Sequence, residues 1–293
     1  MSSSGKIKKA VIPAAGFGTR FLPFTRAVPK EMIPLVDKPV IQYVVEEAAA
    51  AGITDILIIT SAGKEAMENH FLPDAELESR LAVTGKTELL NELKNIQSLA
   101  RLTFTEQKVL NGLGGALLLA EEFAAGEPFA VLLGDTIVKS NTSVPTIGQL
   151  IKCFEEYDLP VTGLEHIPSE RISNYGVVAG TMIANNIMQI TGLVEKPKFE
   201  DAPSDLAIAS RYVLTADIFE YLKKSPAHGN AGEIYLTDAL LMQSSNGGLC
   251  GCIADAKRYD IGNKLEFLKA TVEFGLQHEK FGPEFRKFIN DLL

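Results

Sequence analysis

Ile7-Lys8-Lys9-Ala10-Val11-Ile12 runs directly into Pro13-Ala14-Ala15-Gly16-Phe17-Gly18-Thr19-Arg20, and that junction governs how the whole chain is read. The first run has the apolar, β-branched character of a strand. Two glycines in the loop let backbone approach an anion closely, and amide donors at a turn or helix start favour negative charge. Downstream, Pro39 opens a helical pattern with Ile41, Val44, Val45 and Ala48 on one face and Gly52 as its stop. Ile53–Thr60 is then a near-continuous apolar run of the kind needed by a parallel strand covered on both faces. The order is β-α-β.

The pattern repeats outward from there. Residues 64–98 are rich in Glu, Lys and Leu and read as helical, and Leu102–Glu106 reads as a strand. Gly112–Gly115 opens a helix through Phe123, and Phe129–Leu133 is a buried strand ending at Gly134-Asp135-Thr136. Strands alternating with helices predict an α/β fold, a Rossmann-like, mostly parallel central sheet with helices on both faces. Ligands of such sheets sit outside the carboxyl ends of the strands, so the loops after Ile12, Glu106 and Leu133 are expected on one rim. Past residue 140 a helix is expected at 146–157, then strands near Val161 and at 176–183 and 187–194, the last two around an Asn185-Asn186 turn. A strand at 206–214, helices at 217–223 and 234–243, a strand at 249–254 and a helical tail at 263–293 complete the expectation. With no internal repeat or long flexible linker, residues 1–293 are expected to form one continuous unit.

Composition narrows the function classes. The 293 residues carry 28 Lys and Arg against 37 Asp and Glu, a net charge of −9, and 46% are hydrophobic. Disorder and collagen-like repetition are excluded by that apolar fraction, and a nucleic-acid coat is disfavoured because phosphate binding needs surplus cations. The charge is uneven: residues 6–38 hold seven basic residues (Lys6, Lys8, Lys9, Arg20, Arg26, Lys30, Lys38) and two acidic ones, a local +5 that leaves −14 for the remainder. Three cysteines, Cys153, Cys250 and Cys252, give no disulfide framework and suit a reducing cytosol, with one thiol of the Cys250-x-Cys252 pair expected to face inward. His70, His166, His228 and His278 complete no zinc spacing. Residues 1–9 are Ser-rich and then basic, but the apolar run after them is cut at Pro13, unlike a signal peptide. No segment reads as membrane-spanning, so a cytoplasmic location is expected.

The chemistry-bearing residues cluster on the expected rim. Taken alone, Gly16-x-Gly18 is a weak signal: a dinucleotide fingerprint would need a small residue where Phe21 stands, and Gly63-Lys64-Glu65 fails the P-loop pattern. Arg20 and Lys30, joined by a stretch stiffened by Pro23, Pro29 and Pro34, supply two cations suited to a triphosphate or a leaving pyrophosphate. Asp135, at a strand end, and Asp260 are carboxylates able to hold Mg²⁺ against phosphate oxygens.

Gly16-Phe17-Gly18-Thr19-Arg20 followed by Pro29-Lys30-Glu31-Met32-Ile33-Pro34-Leu35-Val36-Asp37-Lys38-Pro39 resembles the signature of the sugar-1-phosphate nucleotidylyltransferase family. Further matching segments include Tyr175-Gly176-Val177-Val178, Val194-Glu195-Lys196-Pro197-Lys198, Arg211-Tyr212-Val213-Leu214, Leu236-Thr237-Asp238-Ala239 and Asp260-Ile261-Gly262-Asn263-Lys264-Leu265. They occur in order from residue 10 to about 275.

The resemblance implies a nucleotidyltransferase, glycosyltransferase-A-like fold. A nucleotide-binding half is implied at about 6–140, a sugar-binding half with a β-rich insertion at about 141–262, and a helical tail at about 263–293. It implies UTP and glucose 1-phosphate as substrates, UDP-glucose and pyrophosphate as products, Mg²⁺ as cofactor, and a homodimer or homotetramer. The tail phenylalanines Phe274, Phe281, Phe285 and Phe288 are candidates for the contact between copies. By the same resemblance the backbone of Ala14, Ala15 and Gly16, the side chain of Gln107 and the backbone near Gly112 hold the base, with Gly18 and Thr19 in the same loop. Arg20 and Lys30 hold the triphosphate. Gly176 and Glu195 hold sugar hydroxyls, Lys196 the sugar phosphate, and Asp135 with Asp260 the metal. Arg20, Lys30 and Lys196 are the residues expected to carry the chemistry.

Several positions depart from the family's usual pattern. Asn111 and Gly115 stand where the glycine-rich turn usually has Lys and His, Ser210 and Glu266 where Gly is usual, and Tyr235 where Gln is usual. Two other readings stay open on sequence alone. One is a related enzyme using dTTP or another sugar, because Gln107 pairs with uracil or thymine alike. The other is a non-catalytic regulatory paralogue, against which the retention of Arg20, Lys30, Asp135, Lys196 and Asp260 speaks.

Overall fold

Which residues of each apolar run point to which side decides where the helices pack. The computed structural model describes residues 7–292; Lys6 of the basic cluster, the residues before it and Leu293 at the end of the tail lie outside the described residues. The central sheet comprises β1 (Lys9–Pro13), β2 (Asp55–Thr60), β3 (Arg101–Glu106), β4 (Phe129–Leu132), β5 (Val161–His166), β6 (Gly176–Ala184), β7 (Ile187–Glu195), β8 (Leu206–Leu214) and β9 (Cys250–Ile253). Its spatial order is β3-β2-β1-β4-β8-β5-β9-β7-β6.

Successive strand residues point to opposite faces. Ala10, Ile12, Ile56, Ile58 and Leu132 therefore meet α1 (Val40–Ala50), through Ile41, Val44 and Val45, and Ile147 and Leu150 of the helix Thr146–Tyr157. Val11, Leu57, Ile59 and Val131 meet Ala116 and Leu117 of the helix Gly112–Leu118, with Phe219 and Leu222 of Ile218–Lys224 and Leu240 of Leu236–Asn246. Each fully buried Val, Leu or Ile on these faces contributes roughly 1.5–3 kcal/mol. The helix-covered α/β sheet expected from the sequence is thus present.

Parallel pairing runs through β3-β2-β1-β4. Beyond β4 the sheet is mixed: β8 is antiparallel to β4 and β5, β9 is parallel to β5, and β7 is antiparallel to both β9 and β6. The expected parallel character therefore belongs to the first half, and the second half is the β-rich portion. The turn between β6 and β7 falls at Asn185-Asn186 as expected.

Some elements differ from the sequence expectation. The region 64–98 is three helices, Glu65–Phe71, Ala75–Val83 and Thr87–Gln97, with Pro73 in the first break and Gly85 at φ +69° in the second. The helix opened by Gly112 stops at Leu118. Glu233–Ile234 pairs with Ala227–His228 as a short hairpin, so the helix expected from residue 234 starts at Leu236. Cys250 and Cys252 are both buried in one core with Cys153, and all three thiols are free. Alternate positions of a strand point the same way, so both thiols face inward, correcting the expectation of one.

An unforeseen ribbon pairs Thr136–Ser140 antiparallel with Ala256–Asp260, setting Thr136 opposite Asp260. Tyr259 and Ile137 of this ribbon share a core with Ala270 and Phe274 of the tail helix Lys264–Gln277. Phe274 packs edge-on to Tyr43 and to Tyr259, each at 5.3 Å between ring centroids. Phe281 and Phe288 stay 40% and 57% exposed.

Arg211 of β8 is fully buried and ties the ribbon to α1. Its Nη2 donates to Glu47 Oε2 at 2.7 Å and to the Thr136 carbonyl at 2.9 Å, and Nη1 donates to the Ser210 carbonyl at 3.0 Å. Losing one member of such a pair leaves an uncompensated buried charge, a cost of about 3–5 kcal/mol. Among the described residues no helix is long and apolar enough to cross a membrane.

Candidate active site

Four parallel strands ending on one side bring their following loops to one rim. A cavity of about 460 Å³ opens there, lined by Ala14, Ala15 and Gly16 after β1, Gln107 and Gly112 after β3, and Leu133 and Asp135 after β4. The shared rim expected for these loops is present.

The loop after β1 is folded around a lysine. Gly18 has φ +65°, and a β-carbon on it would lie 3.1 Å from Lys30 Cβ and 3.0 Å from Thr25 Cγ2. A β-carbon on Gly16 would lie 3.5 Å from Lys30 Nζ. Thr25 Oγ1 donates to the Gly18 carbonyl at 2.8 Å, closing the loop over the Lys30 side chain. The loop therefore presents Lys30 to the cavity. Gly18 and Thr19, by contrast, are not part of the cavity lining.

Lys30 Nζ donates to Asp135 Oδ2 at 2.5 Å. Burial works against the charged form of Lys30, but the carboxylates of Asp135 and Glu31 outweigh it and raise its pKa. Burial likewise works against ionised Asp135, yet the Lys30 charge and hydrogen bonds from Lys30 and Thr136 hold its carboxyl below the usual range. The point beside Asp135 is thus one that favours a cation.

The ribbon brings the second carboxylate to the same place. A β-carbon built on Gly262 would lie 3.1 Å from Asp260 Oδ1, 3.7 Å from Asp135 Oδ2 and 3.8 Å from Arg20 Nη1. Three sequence-predicted residues from separate segments therefore converge. Asp260 is oriented by two donors, the Gly262 amide at 3.1 Å to Oδ1 and the Tyr175 hydroxyl at 3.2 Å to Oδ2. Arg171 in turn donates to the Tyr175 oxygen at 2.8 Å. Among the described residues no group of three or more His, Cys, Asp or Glu side chains is gathered to hold a metal. Two hard carboxylate donors brought to one place nonetheless suit Mg²⁺, which takes few protein ligands and completes its shell with phosphate oxygens and water.

A second cavity, about 270 Å³, shares Gly112, Leu113, Leu133 and Glu233 with the first and continues along β6 to β8. Gly176, Glu195 and Lys196 line it together. Gly176 and Glu195 are directly paired across β6 and β7, and a β-carbon on Gly176 would lie 3.2 Å from Glu195 Oε2. Glycine there leaves the carboxylate facing open space. Lys196 has φ +46°, its amide donates to the Tyr175 carbonyl at 3.1 Å, and its Nζ lies 3.3 Å from Glu195 Oε1. An acceptor and a cation side by side match a sugar hydroxyl and a phosphate on one ligand.

Four residues that sequence reasoning did not single out complete the site. Lys64, rejected as a P-loop lysine, is buried and donates to the Ala14 carbonyl at 2.5 Å and to Glu31 at 3.0 and 2.8 Å. Burial raises the Glu31 pKa against the pull of Lys64 and Lys30, and burial lowers that of Lys64 against Glu31. The pair fixes the backbone at the mouth of the first cavity. Tyr175 orients Asp260, as above. Thr237 lines the second cavity with its hydroxyl buried and without a hydrogen-bond partner among the described residues, a polar group that a ligand hydroxyl would satisfy. Glu31, Tyr175 and Thr237 lie inside the segments that match the family pattern, whereas Lys64 stands outside them.

Two of the departures from the family pattern sit in defined local settings. Ser210 has φ +62°, a conformation that explains why glycine is usual there. Tyr235 stacks on His228 at 4.3 Å between centroids and lines the second cavity, with Lys196 Nζ 5.9 Å from its ring centroid.

Comparison with known proteins agrees with this geometry. The family model described as nucleotidyl transferase matches residues 9–275. UTP–glucose-1-phosphate uridylyltransferase 2 of Staphylococcus saprophyticus is 47% identical over 287 residues, spanning 98% of this chain and 98% of that protein. A UTP-bound UGPase structure from Acinetobacter baumannii superposes with a TM-score of 0.91 at 37% identity, over 98% of this chain and 100% of that one. A UDP-glucose pyrophosphorylase complexed with UDP-glucose gives a TM-score of 0.85 at 38% identity, over 93% and 100%. With a nucleotide-sized cavity on the strand rim, a second cavity opening from it and a family match over nearly the whole length, this chain belongs to the nucleotidyl transferase family.

Proposed function

We propose that the protein transfers a uridylyl group from UTP to α-D-glucose 1-phosphate, giving UDP-glucose and pyrophosphate. The observation that carries this reading is the common wall of the two cavities, Gly112, Leu113, Leu133 and Glu233. It supports a base and triphosphate site adjoining a sugar phosphate site. The names of similar proteins point the same way, one structure being UTP-bound and another holding UDP-glucose.

In this reading the backbone of Ala14, Ala15 and Gly16, the Gln107 amide and the Gly112 backbone hold uracil, and the Gly18-Thr19 turn carries Arg20 toward the phosphates. Lys30 and Arg20 neutralise the triphosphate. Glu195, Gly176 and the open hydroxyl of Thr237 orient the glucose ring, and Lys196 holds its phosphate. Asp135 and Asp260 would hold Mg²⁺, which when bound supplies charge neutralisation on the phosphates. The sugar phosphate oxygen is already anionic and attacks the α-phosphorus in line, so the Pα–O bond to pyrophosphate breaks as the new Pα–O bond forms. No general base is required, and catalysis rests on orientation and charge neutralisation. The missing serine or histidine device follows from that chemistry.

The same reading treats residues 1–293 as one nucleotidyltransferase unit, its nucleotide half at about 6–140, its sugar half at about 141–262 and its tail at about 263–293. A cytoplasmic location is supported by three free thiols, and neither nucleic acid nor membrane is a partner in it. A homodimer or homotetramer is supported by the exposed Leu265 and Leu268 of the helix Lys264–Gln277, Phe288 of the helix Gly282–Leu292 and Phe281 just before it.

The test is pyrophosphate release with glucose 1-phosphate and each of UTP, dTTP, CTP, ATP and GTP. UTP is expected to give the highest kcat/KM, and omission of Mg²⁺ or of the sugar phosphate to abolish release. No turnover with any pair, alongside intact nucleotide binding, would overturn the reading in favour of a regulatory paralogue.

A further inference from the structure

Gln107 is buried at the base end of the first cavity, and its Nε2 donates to the Gly112 carbonyl at 3.2 Å and to Asn111 Oδ1 at 3.0 Å. A backbone carbonyl only accepts, so the amide nitrogen and not its oxygen must face this way. Both Nε2 hydrogens are then committed. Among the described residues nothing donates to Oε1, which leaves an acceptor as the free atom of a side chain that lines the cavity.

Asn111 is held in place from two directions. Its carbonyl accepts from the Ile234 amide at 2.8 Å, anchoring the backbone to the Ala227–Ile234 hairpin. Its side chain occupies the space above Gly115, where an added β-carbon would lie 1.8 Å from Asn111 Oδ1. Any side chain at 115 would expel the asparagine from that position. The two departures from the usual glycine-rich turn are therefore one feature: glycine at 115 makes room for asparagine at 111.

We propose that Asn111 is a positioning residue for base selection, acting through Gln107 and dependent on Gly115. It holds the Gln107 amide with Oε1 toward the base, so the cavity takes a pyrimidine whose ring nitrogen carries hydrogen, uracil or thymine. Cytosine offers a bare ring nitrogen at that edge and meets acceptor against acceptor. A glutamine free to turn over would serve either pyrimidine. Turning it over here sets Oε1 against the Gly112 carbonyl, and recovering the bond to Asn111 requires that second amide to turn as well. This inference rests on the reading of the first cavity as the uridine site.

The test compares Asn111→Ala, Asn111→Asp, Gly115→Ala and the Asn111→Ala/Gly115→Ala double variant with the wild type. It reads kcat/KM for UTP and CTP, and dissociation constants for both nucleotides by calorimetry. The UTP preference is expected to narrow by about tenfold or more in Asn111→Ala, the scale of one lost orienting hydrogen bond. Asn111→Asp keeps an acceptor for Nε2 and is expected to keep the preference, even where its charge weakens both nucleotides together. Gly115→Ala should behave like Asn111→Ala and add nothing to it in the double variant. A merely structural role would lower UTP and CTP alike, and an unchanged UTP-to-CTP ratio in Asn111→Ala overturns the proposal. A wild-type kcat/KM higher for another triphosphate than for UTP sinks the substrate reading instead. The dissociation constants then decide this inference by themselves: CTP bound by the wild type as tightly as UTP overturns it.

Discussion

Lys196→Ala is expected to lower pyrophosphate release by about a hundredfold to a thousandfold, the usual loss when one charge-stabilising donor is removed from a transition state. UTP binding is expected to stay at its wild-type strength. The separation follows from where the side chain stands: Lys196 lines the second cavity with Glu195 and Gly176 and is absent from the wall of the first. Its backbone is set at φ +46° by the strand end and by the hydrogen bond its amide donates to the Tyr175 carbonyl, and alanine donates that same hydrogen bond. The ammonium is therefore removed with little change to its frame. Lys196→Arg, which keeps the charge, should recover part of the rate. Isothermal titration with UTP alone, set beside the steady-state rate, separates the two effects. Equal losses of UTP affinity and turnover would show that Lys196 serves the nucleotide.

Asp135→Asn is expected to remove Mg²⁺-dependent turnover altogether, a loss beyond about a thousandfold. Asparagine matches the shape of aspartate, withdraws its charge and turns one acceptor oxygen into a donor. In the native site that charge is secured by Lys30 at 2.5 Å, and its pKa lies below the ordinary carboxylate range. Aspartate there is ionised even as pH falls to about 5, so acid in that range should not mimic the substitution. The variant should bind UTP with a weakened response to Mg²⁺, read by titrating the metal at fixed nucleotide. Asp260→Asn is expected to act in the same direction, because both carboxylates meet above Gly262. A rate whose dependence on Mg²⁺ matches the wild type would remove Asp135 from the metal's ligands.

What the sequence disclosed, and what it hid, follows from the range of the interactions involved. Strands buried on both faces must be apolar at nearly every position, so Asp55–Thr60 and Phe129–Leu132 are written plainly in the chain. Loops following parallel strands share an edge as a matter of topology, which is why Ala14, Gln107 and Asp135 were grouped correctly. The ribbon joining Thr136–Ser140 to Ala256–Asp260 was hidden, because its pairing joins segments far apart in sequence and its strands are only partly buried. Yet that ribbon is what carries Asp260 to Asp135. Lys64 was hidden for a related reason: a motif search weighs sequence neighbours, while its partners Ala14 and Glu31 lie 50 and 33 residues away. Asn111 and Gly115 were visible as departures from a pattern, but their mutual dependence is a matter of space, which only coordinates reveal.

The joining of the two cavities in one displacement is tested most directly by isotope tracing. Glucose 1-phosphate carrying oxygen-18 in its non-bridging phosphate oxygens is incubated with unlabelled UTP, Mg²⁺ and the protein, and both products are read by mass spectrometry. Attack of the sugar phosphate on the α-phosphorus predicts UDP-glucose that retains every labelled oxygen, with unlabelled pyrophosphate released in equal amount. Loss of label to water, or UMP released in place of pyrophosphate, would contradict it.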